Sequence, residues 1–201
     1  MRFLTQRTLL TTIIGVLSLL ILIPLSAQQE YDHNLDWKKL SQGHIFIKAI
    51  RDAESKIPGV KAWFIVKTPL DFIWETMINS EKERDIYTTD YKLNIIQKTD
   101  NYEDVEYEVV IFFNKFKYVL HRIFDKANYR ISWDKTKGDF KSMNGYWEIQ
   151  KTPESGSYLI IYESYVNSGF FIPEFIVQLV QQDETRKTMI KLRDWLEKNK
   201  S

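Results

Sequence analysis

Arg122 stands where a charge needs a chemical explanation: on an alternating stretch in which Phe116, Tyr118, Leu120 and Phe124 share its face. If that face is buried, the guanidinium must meet a carboxylate, a ligand head group or water, because an unpaired buried charge is strongly destabilising. At an edge strand it would instead reach solvent. Tyr107, Tyr118, Tyr162, Trp133 and Trp147 fall on similar stretches, and a buried tyrosine or tryptophan needs a partner for its polar end. Small-molecule pockets are mostly apolar with a few placed polar groups. With Arg122, Val109, Ile111 and Leu120, and with Phe175, Ile176, Leu179 and Val180 further on, these residues are the candidate lining of an interior ligand site. The plain alternative is a filled, close-packed core.

Other chemistry finds less support. There is no cysteine among the 201 residues, which excludes disulfides, thiolate metal sites and cysteine nucleophiles. His33, His44 and His121 stand apart, and none has a metal-ligand spacing. There is no Gly-x-Ser-x-Gly elbow and no glycine-rich phosphate loop, so neither a metal nor a cofactor is expected. A formal net charge of +1 lacks the basic footprint of a nucleic-acid-binding domain. General acid–base catalysis needs only one positioned group of suitable pKa, so Tyr, Arg122 or Glu could serve, but no positive sign of an enzyme is present.

The elements that must carry these residues read as α+β. His44–Ile50 and Val60–Lys67 form a hairpin by their period-two alternation. Thr68-Pro69-Leu70-Asp71 reads as a helix start with Thr68 as N-cap, and Ser80-Glu81-Lys82-Glu83 repeats the capping-box pattern. Two short helices are therefore expected after the second strand. Strands follow at Tyr91–Lys98, Val105–Phe113, Phe116–Phe124, Tyr129–Trp133, Phe140–Ile149 and Tyr158–Val166, the spacing of an antiparallel meander. Ile172-Pro173 then opens a long helix, with apolar residues at Ile172, Phe175, Ile176, Leu179, Val180, Met189, Leu192, Trp195 and Leu196 on one face. Within it, the polar run Gln181–Thr188 reads as a solvated face with an Asp183–Lys187 pair. Gly169–Ile172 reads either as an exposed apolar loop or as a staple fixing the helix entry.

Arg2 and Arg7, the apolar run Leu9–Ile23 and the small residues Leu25-Ser26-Ala27 have the form of a signal peptide. Residues 1–27 are thus expected to direct export to a periplasm or the exterior, with an uncleaved membrane anchor as the rival. Residues 28–36 form a polar lead-in, and residues 37–201 one domain.

The order of these elements resembles the START-like superfamily, which also holds polyketide cyclases and coenzyme-Q-binding proteins. Three stretches carry the likeness: Thr68–Trp74 at the strand-to-helix entry, Met143–Ile149, and the junction Tyr162–Pro173. The resemblance implies a helix-grip fold, a curved antiparallel sheet wrapped around the long C-terminal helix. It also implies a cavity between the two that holds a lipid, sterol-like molecule, quinone or polyketide. The larger eukaryotic members place an arginine–acid pair in that cavity. Here Arg122 is the candidate arginine and Glu163 the candidate acid. The expectation is a monomeric, exported lipid-binding or transfer protein with transient membrane contact. A cyclase or dehydratase-type enzyme using the same cavity and a protein-interaction module with a filled core are the alternatives.

Overall fold

The computed structural model describes residues 35–87, 91–111, 114–169 and 183–200, with the side chain of Ile111 left aside. The expected signal segment, most of the polar lead-in, residues 170–172 of the expected loop or staple, and the candidate lining residues Phe175, Ile176, Leu179 and Val180 lie outside them. Residues 36–201 form a compact unit.

A short helix α1 (Trp37–Ser41) starts on Asp36, whose side chain accepts from the Lys39 amide at 3.1 Å. Strands β1 (Phe46–Arg51) and β2 (Pro58–Val66) pair as the expected hairpin. Helix α2 (Leu70–Met77), a 3-10 turn at Ser80–Lys82 and helix α3 (Glu83–Ile86) follow. The capping differs from the sequence reading. Pro69 occupies the N-cap of α2 without a side-chain bond, and the buried Thr68 hydroxyl donates to the Leu196 carbonyl instead. Thr68 thus ties the helix entry to the end of the chain.

The chain then restarts at the far edge of the sheet and returns strand by strand. Its strands are β3 (Tyr91–Lys98), β4 (Tyr102–Ile111), β5 (Asn114–Asp125), β6 (Arg130–Gly138), β7 (Ser142–Lys151) and β8 (Tyr158–Asn167). The sheet order is β1-β2-β8-β7-β6-β5-β4-β3, antiparallel throughout, so the last strand docks beside the second and the sheet stays open at β1 and β3. Strand β6 runs on to Gly138, past the expected end at Trp133. A register shift at Val119/Leu120 keeps it paired with β5.

Helix α4 (Thr185–Lys198) closes the domain and buries Met189, Leu192 and Leu196. They pack with Ala62, Phe64 and Val66 of β2, with Ile149 and Ile160, and with Ile73, Trp74 and Met77 of α2. Packed aliphatic surface of this kind stabilises at about 25 cal/mol per Å² removed from water. Phe72 stacks on Trp195 at 5.9 Å, joining α2 to α4. Lys187 pairs with Glu184 at 2.6 Å, a closer neighbour on the helix than the expected Asp183. Among the described residues no helix is long and apolar enough to cross a membrane.

Candidate functional site

The inner face of the sheet divides into two regions. Under α4 it is aliphatic. Toward β3 and β4 it is aromatic, built on buried Leu93, Val105, Tyr107, Leu120 and Trp133, with Tyr118, Trp147 and Tyr162 packed against them. Alternation explains the grouping, since side chains two apart on each strand share a face and cross-strand partners lie side by side. Tyr107 faces Tyr118 across β4–β5, and Trp147 faces Tyr162 across β7–β8. The rings touch: Tyr107 stacks on Tyr118 at 5.3 Å, Trp133 on Tyr162 at 5.8 Å, and Trp147 meets Tyr162 at 4.5 Å. Of the sequence-derived candidates, Tyr107, Tyr118, Leu120, Arg122, Trp133, Trp147 and Tyr162 are thus gathered on one concave surface. Val109, half-buried, continues the β4 face opposite Tyr91 and Phe116. The backbone of Ile111 is its next inward position.

Arg122 is buried, and it is paired. The strand register sets Glu103 of β4 directly across from it, and Arg122 Nη1 donates to Glu103 Oε1 at 2.5 Å. The same nitrogen donates to Glu83 Oε1 at 3.1 Å and to the Ser80 hydroxyl, while Nη2 donates to the Met77 carbonyl at 2.7 Å. Ser80 also donates to Glu103, and Lys98 approaches the other Glu103 oxygen at 3.7 Å. One guanidinium therefore clamps the end of α2, the 3-10 turn and α3 onto β4 and β5.

Two sequence readings are corrected here. Glu163 is not the acid partner: it lies on the opposite face of β8, where it pairs with Lys61 at 3.1 Å and accepts from Tyr146 and Tyr165 at 2.9 Å each. Ser80 and Glu83 do not form a capping box. Asn79 caps the turn by accepting from the Glu81 amide, which leaves Ser80 and Glu83 free to point inward.

Glu83, like Glu103 and Ser80, is a site residue that sequence reasoning missed. Tyr107 donates to both of its carboxyl oxygens, at 3.2 and 3.3 Å. Burial pushes its carboxyl above the usual range; Arg122 and Tyr107 pull it down, and the charge of Glu103 adds to the rise. Its side chain nevertheless keeps 22% accessibility. Tyr118 and Tyr162 have the same pairing of properties: half-buried rings whose hydroxyls burial pushes up, with Glu83 a further cause. Among the described residues no group of His, Asp and Glu is arranged to hold a metal ion.

An open, curved antiparallel sheet closed by a C-terminal helix, with short helices after its second strand, is the START-type helix-grip fold. No protein-family model and no curated protein matches the chain in sequence; solved structures match it in form. The STAR-related lipid transfer protein of Xanthomonas axonopodis superposes with a TM-score of 0.62 at 15% identity, over 76% of this chain and 93% of that one. Human STARD10 gives 0.63 at 14% identity, over 77% and 70%. The Zhui aromatase/cyclase of a Streptomyces gives 0.59 at 15%, over 77% and 95%. Identities this low establish a shared fold, which hosts both transfer proteins and enzymes.

Proposed function

We propose that this protein is an exported carrier that holds a hydrophobic small molecule, a lipid or a molecule of similar character, between the inner face of its sheet and the C-terminal helix. The observation that carries the reading is the aromatic surface of Tyr107, Tyr118, Trp133, Trp147 and Tyr162 on the inner face of the sheet, where Tyr118, Trp147 and Tyr162 stay half-buried. Such a surface takes up apolar groups at about 0.8 kcal/mol per buried methylene. Lipid-transfer proteins among the structural neighbours support the choice of cargo. Export follows from the form of residues 1–27, and a carrier outside the cytoplasm would serve molecules that must cross water between membranes.

The test is native mass spectrometry of the protein recovered after expression of the full chain, followed by solvent extraction and lipid analysis. A defined hydrophobic molecule at near-stoichiometric occupancy supports the carrier. A bare protein that also takes up no fluorescent lipid overturns it and favours a filled-core interaction module.

One observation favours a second reading, an enzyme of the cyclase or dehydratase type. A carboxyl raised by burial and touched by a phenol, as Glu83 is by Tyr107, has the character of a general acid. Turnover of a polyketide-like substrate that is lost in Glu83→Gln, with substrate binding retained, would select this reading over the carrier.

A further inference from the structure

We propose that the free edge of the sheet at β1 is a docking site for an extended acidic peptide segment of a partner protein, which adds to the sheet as a further strand. The site lies apart from the aromatic surface and does not rest on the carrier reading.

An open sheet has two edges, here β1 and β3, and the unpaired backbone groups of an edge can template another strand. The two edges differ. At β3 the Leu93 carbonyl accepts from Arg84 Nη2 of α3, and the register with β4 shifts between Ile95 and Gln97. A side chain laid on the edge and a bulge both obstruct strand addition. At β1 all six residues, Phe46–Arg51, pair with β2 in unbroken register. Lys48 and Ala49 are exposed, and among the described residues no hydrogen bond reaches the outward backbone groups of Phe46–Ile50. The carbonyls of Gly43 and Ile45, just before the strand, accept from Arg193 at 2.6 Å and from Arg186 at 3.1 Å. These bonds tie the edge to α4, so a docking strand would meet a surface already in place, which lowers the cost of ordering.

Charge selects the partner. Strand β1 carries Lys48 and Arg51 and no acid, and Lys48 lies opposite Lys61 of β2. Lys61 is held by Glu163 at 3.1 Å, whereas among the described residues no carboxylate pairs with Lys48. Like charges side by side on adjacent strands repel, and opposite charges stabilise. A second copy of β1 would bring only cations to this edge. The lysine that keeps copies apart therefore favours a strand of opposite charge. Side chains alternate across a strand, so the acids of a docked strand would lie on the Lys48 face and its apolar residues beside Ile47 and Ala49. The segment that fits alternates acidic and apolar residues and binds through its backbone.

The test uses dye-labelled octapeptides of alternating glutamate and valine, or of alternating lysine and valine, followed by fluorescence anisotropy at low salt. The protein recovered from expression of the full chain is expected to bind the acidic peptide about ten-fold more tightly than the basic one. The acidic peptide N-methylated throughout keeps its charge but cannot donate to β1, and is expected not to bind. Lys48→Glu, an exposed change checked for folding by its urea midpoint, is expected to prefer the basic peptide. Equal binding of the two peptides or no binding of either overturns the proposal. So does binding that survives N-methylation, or a preference unchanged in Lys48→Glu. A wild-type dimer whose β1 amides are protected from hydrogen exchange would put a second copy on this edge and overturn it too.

Discussion

Arg122 and Glu103 face each other across adjacent antiparallel strands, with Nη1 and Oε1 2.5 Å apart. Glu103 is fully buried and Arg122 nearly so, at 0% and 5% accessibility. The pair fixes where the short helices sit, because Ser80, Met77 and Glu83 all gather on the same guanidinium.

Arg122→Met leaves Glu103 buried beside Glu83 with, among the described residues, only Lys98 as a nearby cation, 3.7 Å from Glu103, and is expected to lose about 3–5 kcal/mol of stability. Glu103→Leu leaves Arg122 its 3.1 Å pair with Glu83 and is expected to lose less. The double variant Glu103→Leu/Arg122→Met removes both charges and is expected to lose well under the sum of the two. Urea denaturation of the four proteins gives the coupling directly. An Arg122→Met loss below about 1 kcal/mol would show a pair solvated like a surface ion pair.

Glu83 makes a prediction about pH. Its carboxyl, raised by burial, binds a proton more tightly in the folded protein than in the unfolded chain. Its contribution to stability is complete below the unfolded carboxyl value and is lost as pH rises through the higher folded value. Glu83→Gln has no such titration. The urea midpoint of the wild type is therefore expected to fall relative to that of Glu83→Gln as pH rises above about 4.3, the ordinary glutamate value. A difference that stays constant with pH, or one that moves in favour of the wild type, contradicts the assignment.

These groups were legible in the sequence to different degrees, for physical reasons. Period-two alternation placed Tyr107, Tyr118, Arg122, Trp133, Trp147 and Tyr162 on inward faces, because half-buried strands must alternate. The same alternation excludes Glu163, which follows the inward Tyr162 by one residue. Glu103 was hidden by starting its strand at Val105, whereas β4 begins at Tyr102. Counting back from the Ile111–Asn114 pair at the hairpin end brings Glu103 opposite Arg122. Ser80 and Glu83 were hidden differently. Ser-x-x-Glu has a complete local explanation as a capping box, and only the docking of the turn over β4 and β5 turns both side chains inward. That is a tertiary fact with no local signature.

The form of residues 1–27 predicts cleavage after Ala27. When the full chain is expressed in a bacterium and fractionated, the intact mass of the soluble exported protein is expected to begin at Gln28. A full-length product held in the membrane fraction would establish the segment as an anchor.

The aromatic surface depends on a residue without a side chain. Gly145 pairs with Trp133 on one side and Ser164 on the other, and a Cβ there would lie 2.2 Å from the Glu163 carbonyl and 2.5 Å from Cζ2 of the Trp133 ring. Its absence lets the indole lie across β7 and reach Tyr162. Gly145→Ala must push β7 from β8 or turn Trp133 away, and the overpacking is expected to destabilise by about 1–3 kcal/mol. Because Trp133 belongs to the proposed ligand surface, the substitution should also shift its fluorescence and weaken uptake of a fluorescent lipid. Trp133→Phe in the wild-type background separates the effects: it relieves no clash, keeps an aromatic face and should lose far less stability. If Gly145→Ala loses stability while lipid uptake and tryptophan emission stay at wild-type values, Trp133 is a core residue and not part of the ligand surface.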